Sequence, residues 1–362
     1  MFNRFKWGIG LLLCAVPACT PEVGDDLWRL QTPRPFLAGN SEAFAPAVGA
    51  GTVFFCGGYA YDAASELVAV NATDGVPRWR VSVQSCGGSP AVLDSMVVAF
   101  AREAHSPRFV LFGIDAATGG ERWRKAVGEI VAHATIGRSV LLARGDGSLQ
   151  RVDATTGELN ALELSPEPAD RPWMSTADGH VIIGAGQSIW DISGDRSDPV
   201  PGRRLQSHIT DVIAGAAENN LLVLQDRKNG LAAFERSSGR LLWTNHWTRL
   251  LGGPAISHGR VFINTFGPNR YELQAIDGES GRALWQVPDG GFEPPVEGHG
   301  KLYAAGRSSV LVIDPQTGSV LESIPTSTEI ISSPVPLDRY VLFGTIDGVL
   351  HAGSERGPDR RQ

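Results

Sequence analysis

Residues able to do chemistry are few in this chain and are not grouped in motifs. Its four cysteines are Cys14, Cys19, Cys56 and Cys86, and the last two are each followed by two glycines. In an exported chain we expect a disulfide between Cys56 and Cys86, with two free thiols as the alternative. The eight histidines never show the spacing of a metal site, and we expect His133 to be a hydrogen-bonded histidine rather than a ligand. The sequence therefore predicts no catalytic residue, no metal site and no cofactor-binding motif.

Most of the chain is built from an eleven-residue unit that repeats. In the clearest copy, residues 275–285, Asp277 opens a turn, Gly281 closes it and Trp285 ends the unit. The other copies, two of which lack the final tryptophan, are residues 69–79, 113–123, 151–161, 233–243 and 312–322. A degenerate copy is expected near Asp191. We predict that one large side chain per unit packs between neighbouring units and donates its indole N–H to a carbonyl. These tryptophans are Trp28, Trp79, Trp123, Trp243 and Trp285.

The spacing of the repeats predicts the fold. Successive turn residues are separated by about 40 residues, the length of one four-stranded propeller blade. We predict an all-β fold, an eight-bladed β-propeller of four-stranded antiparallel blades, with seven blades as the alternative. The lone strand at residues 27–30 would complete the last blade, because closure of the ring removes unpaired sheet edges. The propeller domain is expected to span residues 27–353, followed by a tail at 354–362.

The repeat carries a family resemblance. Residues 275–285 resemble the signature A-x-D-x-x-T-G-x-x-x-W of the β-propellers with pyrroloquinoline-quinone (PQQ)-like repeats. One branch of that family, the quinoprotein dehydrogenases, uses adjacent cysteines, a calcium ion and a catalytic aspartate. This chain has no Cys-Cys pair. The resemblance therefore favours the other branch, the BamB-type lipoproteins, which are non-enzymatic scaffolds for outer-membrane β-barrel assembly.

The first residues read as a targeting segment. Residues 1–18 have the basic start and the short apolar core of a signal peptide, and Val16-Pro17-Ala18-Cys19 resembles a lipobox. We predict lipidation of Cys19, a short tether at residues 19–26 and a location on the periplasmic side of the outer membrane. Ordinary cleavage nearby, with Cys19 a bystander, is the alternative.

Composition and loop sequences indicate the kind of partner. The formal net charge of −7 and the lack of a basic stripe argue against nucleic acid. We predict a monomeric propeller that binds a protein through its variable loops, since aromatic residues and arginine anchor interfaces. Two alternatives are a PQQ-dependent dehydrogenase-like enzyme and a propeller that binds a polysaccharide or another ligand. The candidate partner-binding residues are Tyr59, Tyr61, His105, Arg108, Arg203, Arg204, Trp247, Arg249, Arg270 and Tyr271.

Overall fold

Short apolar runs separated by turns rich in glycine and aspartate form strands throughout the described chain. The computed structural model describes residues 26–31, 45–57, 65–83, 85–102, 108–162, 172–185, 188–193, 203–206, 211–228, 230–247, 249–267 and 270–355. The side chains of residues 57, 177, 185, 188 and 203–206 are outside this description. Within these ranges, 32 strands form eight four-stranded antiparallel sheets. The same ranges contain no helix that could cross a bilayer.

The eight sheets are the blades of one ring, and the first strand of the chain, β1 (Asp26–Gln31), belongs to the last blade. Blade I consists of β2 (Ala47–Gly49), β3 (Thr52–Gly57), β4 (Ser65–Asn71) and β5 (Pro77–Val83). Blade II consists of β6 (Ala91–Leu93), β7 (Met96–Arg102), β8 (Phe109–Asp115) and β9 (Glu121–Val127). Blade III consists of β10 (Ile130–Ile136), β11 (Ser139–Arg144), β12 (Leu149–Asp153) and β13 (Leu159–Leu162). Blade IV consists of β14 (Trp173–Ala177), β15 (His180–Ala185), β16 (Ser188–Ser193) and β17 (Arg203–Gln206).

The second half of the ring follows the same order. Blade V consists of β18 (Val212–Glu218), β19 (Leu221–Asp226), β20 (Gly230–Glu235) and β21 (Leu241–His246). Blade VI consists of β22 (Leu250–Ser257), β23 (Arg260–Phe266), β24 (Tyr271–Asp277) and β25 (Ala283–Pro288). Blade VII consists of β26 (Val296–Gly298), β27 (Lys301–Ala305), β28 (Ser309–Ile313) and β29 (Val320–Pro325). Blade VIII consists of β30 (Val335–Leu337), β31 (Tyr340–Gly344), β32 (Val349–Ser354) and β1.

The structure confirms the eight-bladed, all-β prediction and the closure of the ring by the N-terminal strand. Strand β1 pairs antiparallel with β32, with Trp28 opposite Ala352 and Leu30 opposite Leu350. The first strands of neighbouring blades contact each other at most junctions, so the first strands surround the axis of the ring and the fourth strands lie at its rim. The loop face of the ring carries the hairpins between second and third strands and the links between blades. The opposite turn face carries the remaining turns.

The core lies between blades rather than within them. Each blade has a buried valine or leucine at the second position of its second strand. These residues are Val53, Val97, Val140, Val181, Leu222, Val261, Leu302 and Val341. One apolar cluster joins Val98 of blade II to Val140 of blade III, and others join further pairs of neighbouring blades. Because burial of each such side chain contributes about 1.5–3 kcal/mol, the ring is stabilised wherever two blades meet.

Five tryptophans on fourth strands connect one blade to the next in the predicted way. Each indole N–H donates to the carbonyl that follows the turn residue of the next blade, over 2.8–3.1 Å. The pairs are Trp28 with Ala72, Trp79 with Ala116, Trp123 with Ala154, Trp243 with Gly278, and Trp285 with Pro315. Each ring also covers the turn glycine of that next blade. Gly281, for example, has a φ of 71°, and a Cβ there would lie 2.7 Å from the Trp243 ring.

Charged groups replace the tryptophan at two other blade junctions. Between blades IV and V, the Arg236 guanidinium binds the Asp191 carboxylate with nitrogen–oxygen distances of 2.7 and 2.9 Å. Between blades VII and VIII, Glu355 accepts hydrogen bonds from Lys301 and Tyr303. Both Arg236 and Glu355 directly follow the last residue of a third strand. At the tryptophan junctions, the residue after the turn residue supplies the carbonyl that accepts the indole N–H. At these two junctions the same position supplies a charged side chain instead.

The strand register corrects the position expected for the degenerate repeat. Ser193, rather than Asp191, pairs with His180 in the way that Asp277 pairs with Arg260. Asp191 lies two residues earlier, inside β16, and accepts a hydrogen bond from His180 at 2.8 Å besides those from Arg236. It is therefore a member of a charged contact between blades and not a turn former.

Candidate partner-binding surface

Blade VI carries a cluster of aromatic rings at the loop face. Phe266 ends β23 and Tyr271 begins β24, so the two rings flank one hairpin, with centroids 5.1 Å apart. Phe292, from the link to blade VII, packs edge-on against Tyr271 at 5.1 Å and is 46% exposed. The Arg249 guanidinium lies 5.6 Å from the centre of the Phe266 ring. We call Phe266, Tyr271, Phe292, Arg249, Arg270 and Trp247 the blade VI patch.

A row of polar side chains beneath the patch holds its hairpin in place. The Trp247 indole donates to Gln274 at 3.2 Å, and Gln274 donates to the Thr265 hydroxyl at 3.4 Å. Arg270 contacts the buried Glu272 carboxylate at 3.3 Å while most of its own side chain is exposed. Because buried polar groups are costly unless they are paired, these contacts fix the surface groups above them. The patch is thus preorganised rather than a loose set of loop residues.

The structure brings together four of the sequence-predicted candidates and separates or leaves out the rest. Trp247, Arg249, Arg270 and Tyr271 belong to the patch. Arg108 is exposed at the loop face of blade II, on the opposite side of the ring. Strand β17 contains Arg203 and Arg204, whose side chains are not described, and Tyr59, Tyr61 and His105 lie outside the described residues, as does Cys19. Phe266 and Phe292 were not predicted from the sequence. The signal for Phe292 is its place between Gly290-Gly291 and Pro294-Pro295, which marks a constrained, exposed link.

Cys56 and Cys86 form a disulfide in the structure, with their Cα atoms 5.8 Å apart. Cys56 lies in the second strand of blade I, and Cys86 lies in the link to blade II. The backbone of Cys86 also forms an isolated antiparallel β-bridge with Ala101. Both residues are almost completely buried. The bond fastens the loop edge of blade I to the entry of blade II.

A trio of side chains at the ring closure has the order of a catalytic relay. Thr345 Oγ1 lies 3.1 Å from His351 Nε2, and His351 Nδ1 lies 2.9 Å from an Asp26 carboxylate oxygen. Thr345 has no exposed surface, however, and its hydroxyl also donates within its own hairpin, to Asp347 at 2.6 Å. A hydroxyl without access to a substrate cannot act as a nucleophile. The trio instead links β1 to β32.

Two further titratable groups lie half-buried towards the loop face. His133 stacks on Phe100 with ring centroids 4.0 Å apart, and burial lowers its pKa to about 4, against a weaker hydrogen bond with the backbone of Ser89. Glu293 lies in the link beside Phe292, where Ser333 donates to its carboxylate at 3.4 Å. Burial raises the pKa of Glu293 to about 7, since that weak hydrogen bond does not offset the lost hydration.

Glu293 should therefore make the stability of the ring depend on pH. In the unfolded chain this carboxyl loses its proton near its ordinary pKa of 4.5, but in the folded chain only near 7. The folded state binds more protons between these values, so the free energy of unfolding should fall as pH rises through this window. We expect Glu293→Gln to flatten that slope and to stabilise the protein by roughly 2–3 kcal/mol above about pH 8.

Urea unfolding of the wild type and Glu293→Gln at several pH values would measure this effect. The exposed Glu279, in a turn of the same blade, offers a matched control, and Glu279→Gln should leave the pH slope of the wild type intact. Equal slopes for the wild type and Glu293→Gln would contradict the assignment.

The described side chains show neither the metal cluster nor the bonded adjacent cysteines that the resemblance to the dehydrogenase branch would imply. Within the described ranges, no three histidine, cysteine, aspartate or glutamate side chains are arranged to hold a metal ion. The Cys56–Cys86 disulfide joins residues 30 positions apart, unlike a bond between adjacent cysteines. The carboxylates of the repeated turn aspartates already accept hydrogen bonds within their own turns. Asp115, for example, has a pKa lowered to about 2 by hydrogen bonds from Arg122 and from the Thr118 side chain and backbone.

Comparisons with solved structures show the same fold at low sequence identity. The computationally designed Ika8 protein superposes with a TM-score of 0.66 at 17% identity, covering 89% of this chain and 99% of that one. The quinohemoprotein alcohol dehydrogenase from Comamonas testosteroni gives 0.64 at 13% identity, with coverages of 92% and 77%. BamB from Moraxella catarrhalis gives 0.44 at 15% identity, with coverages of 92% and 100%. At these identities the likenesses show the fold alone.

Sequence comparison gives the family. No curated protein matches the chain. The family model described as outer membrane protein assembly factor BamB matches residues 15–109, 63–160 and 177–339, which together cover most of the sequence. The tryptophan links, the eight blades and this match agree, and the protein belongs to the family of β-propellers with PQQ-like repeats that this BamB model describes.

Proposed function

We propose that the protein is a non-enzymatic scaffold of the outer membrane that binds another protein through the blade VI patch. The observation that carries this proposal is the preorganised cluster of three aromatic rings beside two arginines at the loop face. Exposed aromatic and arginine side chains held in one conformation lose little entropy on binding, which makes them effective interface anchors.

The family match supports a role in the assembly of outer-membrane β-barrel proteins, because the matching model is described as an assembly factor. We further propose that Cys19 is lipidated after removal of residues 1–18 and that the propeller faces the periplasm as a monomer. The lack of a Cys-Cys pair in the sequence favours the scaffold over the dehydrogenase-like alternative. A scaffold of this kind needs shape and fixed loops, and no reactive group.

Site-specific crosslinking in intact cells would test the scaffold role. A photoreactive residue in place of Phe292 should crosslink to a component of the barrel-assembly machinery, identified by mass spectrometry. The same residue in place of Thr155, which is exposed on the turn face of blade III, serves as the matched control and should give no such product. Equal products at both positions, or none at Phe292, would contradict the patch as the binding surface.

A separate measurement addresses the enzymatic alternative. Purified protein supplied with PQQ and calcium should neither retain the quinone absorbance after gel filtration nor oxidise alcohols. Stoichiometric quinone retention with calcium-dependent turnover would overturn the non-enzymatic assignment.

A further inference from the structure

Exposed apolar side chains are concentrated on one edge of the ring. Seven large apolar residues of the described ranges are well exposed, and Phe292 of the blade VI patch is one of them. The other six lie where the turn face meets the rim, at or just before the start of a fourth strand, and are between 43% and 57% exposed. We call them the apolar rim: Leu27, Val76, Leu241, Leu284, Val320 and Leu321.

The apolar rim occupies five consecutive blades, V, VI, VII, VIII and I. The repeat itself does not require it, because the corresponding positions are the polar Glu121 and Arg122 in blade II, and in blade III the half-buried Leu159 and the polar Asn160. Single exposed leucines are ordinary, but among the described side chains six lie on blades V to VIII and I and none on the fourth strands of blades II and III, which makes the surface directional. Blade VII, which contributes both Val320 and Leu321, is the middle of the five.

We propose that the apolar rim rests on the lipid surface of the membrane, with the ring tilted so that blade VII lies deepest. This inference rests on the proposed lipid anchor at Cys19. Exposed arginines lie beside the apolar residues on the same edge, namely Arg29, Arg78 and Arg282. Arginine beside leucine and valine suits the boundary of a bilayer, where the guanidinium meets phosphate groups and the apolar side chain enters the acyl region.

The point at which the chain enters the propeller favours lipid over other occupants. Strand β1 begins at Asp26, at the turn face of blade VIII and so within the arc of the apolar rim. Cys19 precedes Asp26 by seven residues, which span at most about 25 Å when fully extended. A lipid on Cys19 would therefore hold this edge of the ring, and not the opposite edge at blade III, close to the bilayer. A second copy of the chain or another protein would have no such constraint.

Depth-dependent quenching of a thiol label would test the orientation. Cys56 and Cys86 are bonded, and Cys19 would carry the lipid, so an introduced cysteine can be labelled selectively. We would label Leu321→Cys in blade VII, Leu284→Cys in blade VI and Asn160→Cys in blade III, each in the full chain processed in cells. The purified proteins would then be reconstituted in phosphatidylethanolamine–phosphatidylglycerol vesicles with or without brominated acyl chains.

The expected result is a gradient around the ring. The label at residue 321 should lose fluorescence severalfold in brominated vesicles, the label at 284 less, and the label at 160 should not change. Equal quenching at 321 and 160, or none at 321, would overturn the tilted orientation. A blue shift at 321 without vesicles, together with a dimer in sedimentation, would assign the rim to a second copy instead.

Flotation separates this result from a failure of the anchor. Protein that floats with vesicles but shows no quenching at residue 321 retains the anchor and refutes only the apolar rim. Protein that does not float, and whose Cys19 peptide carries no lipid by mass spectrometry, refutes the anchor and the rim together.

Discussion

Trp243→Ala should lower the free energy of unfolding by about 3–5 kcal/mol, because the side chain fills the junction between blades V and VI. The tryptophan is 8% exposed and donates to the Gly278 carbonyl at 2.8 Å. Its ring also covers the turn that ends at Gly281. The substitution removes this packing, leaves a cavity and deprives a buried carbonyl of its donor. Urea denaturation followed by circular dichroism would measure the loss.

Two further variants make the result specific to the indole. Trp243→Phe keeps most of the packing but no donor, so it should cost clearly less than Trp243→Ala. Leu241→Ala removes an exposed side chain two residues away on the same strand, and we expect a change within about 0.5 kcal/mol. A loss at Trp243→Ala no greater than that at Leu241→Ala would contradict the view that the tryptophans hold the blades together.

Arg236→Met should destabilise the ring by about 3–5 kcal/mol, since it leaves the Asp191 carboxylate with an uncompensated charge in a largely buried place. The side chains of Arg236 and Asp191 are 8% and 14% exposed. Burial raises the pKa of Asp191, but hydrogen bonds from Arg236 and His180 outweigh it and hold the pKa below its ordinary value. The double variant Asp191→Leu with Arg236→Met should recover most of the loss, because it removes both charges.

The same pair predicts a dependence on acid. Because the folded carboxyl of Asp191 has the lower pKa, its contribution is fully present above the unfolded value of 3.8 and is lost as pH falls through the folded value. The difference in free energy of unfolding between the wild type and Arg236→Met should therefore shrink below about pH 4. Urea unfolding curves at several pH values would measure it. Arg240→Met is the matched control. Arg240 contacts Glu235 across the exposed turn between β20 and β21, and its replacement should change the free energy of unfolding little. A double variant as unstable as Arg236→Met would refute the charge argument.

Much of the fold could be predicted because the repeat is local. A turn aspartate, a glycine four residues later and a tryptophan form one hairpin, and copies at a fixed spacing require a ring. Trp28 without a preceding hairpin and a last blade without a fourth strand predicted the closure by β1, which the structure confirms. The degenerate repeat in blade IV was misplaced by two residues, since no local signal distinguishes Asp191 from Ser193 until the strands are paired.

The candidate surface was predicted less completely. Residue type identified Trp247, Arg249, Arg270 and Tyr271, but it equally identified Arg108, which lies across the ring. The packing of Phe292 against Tyr271 joins a link and a hairpin that are separate in sequence. Because loop lengths vary between blades, their relative positions follow only from the closed ring.

By itself, the sequence determined the blade, its repetition and the residues that connect one blade to the next, since those features depend on spacing within a single eleven-residue unit. Tertiary structure decided which exposed groups become neighbours: the blade VI patch on one face and the apolar rim on the other. The physical reason is that ring closure fixes where each loop and strand end lies, and it brings together side chains whose separation along the chain carries no signal of contact.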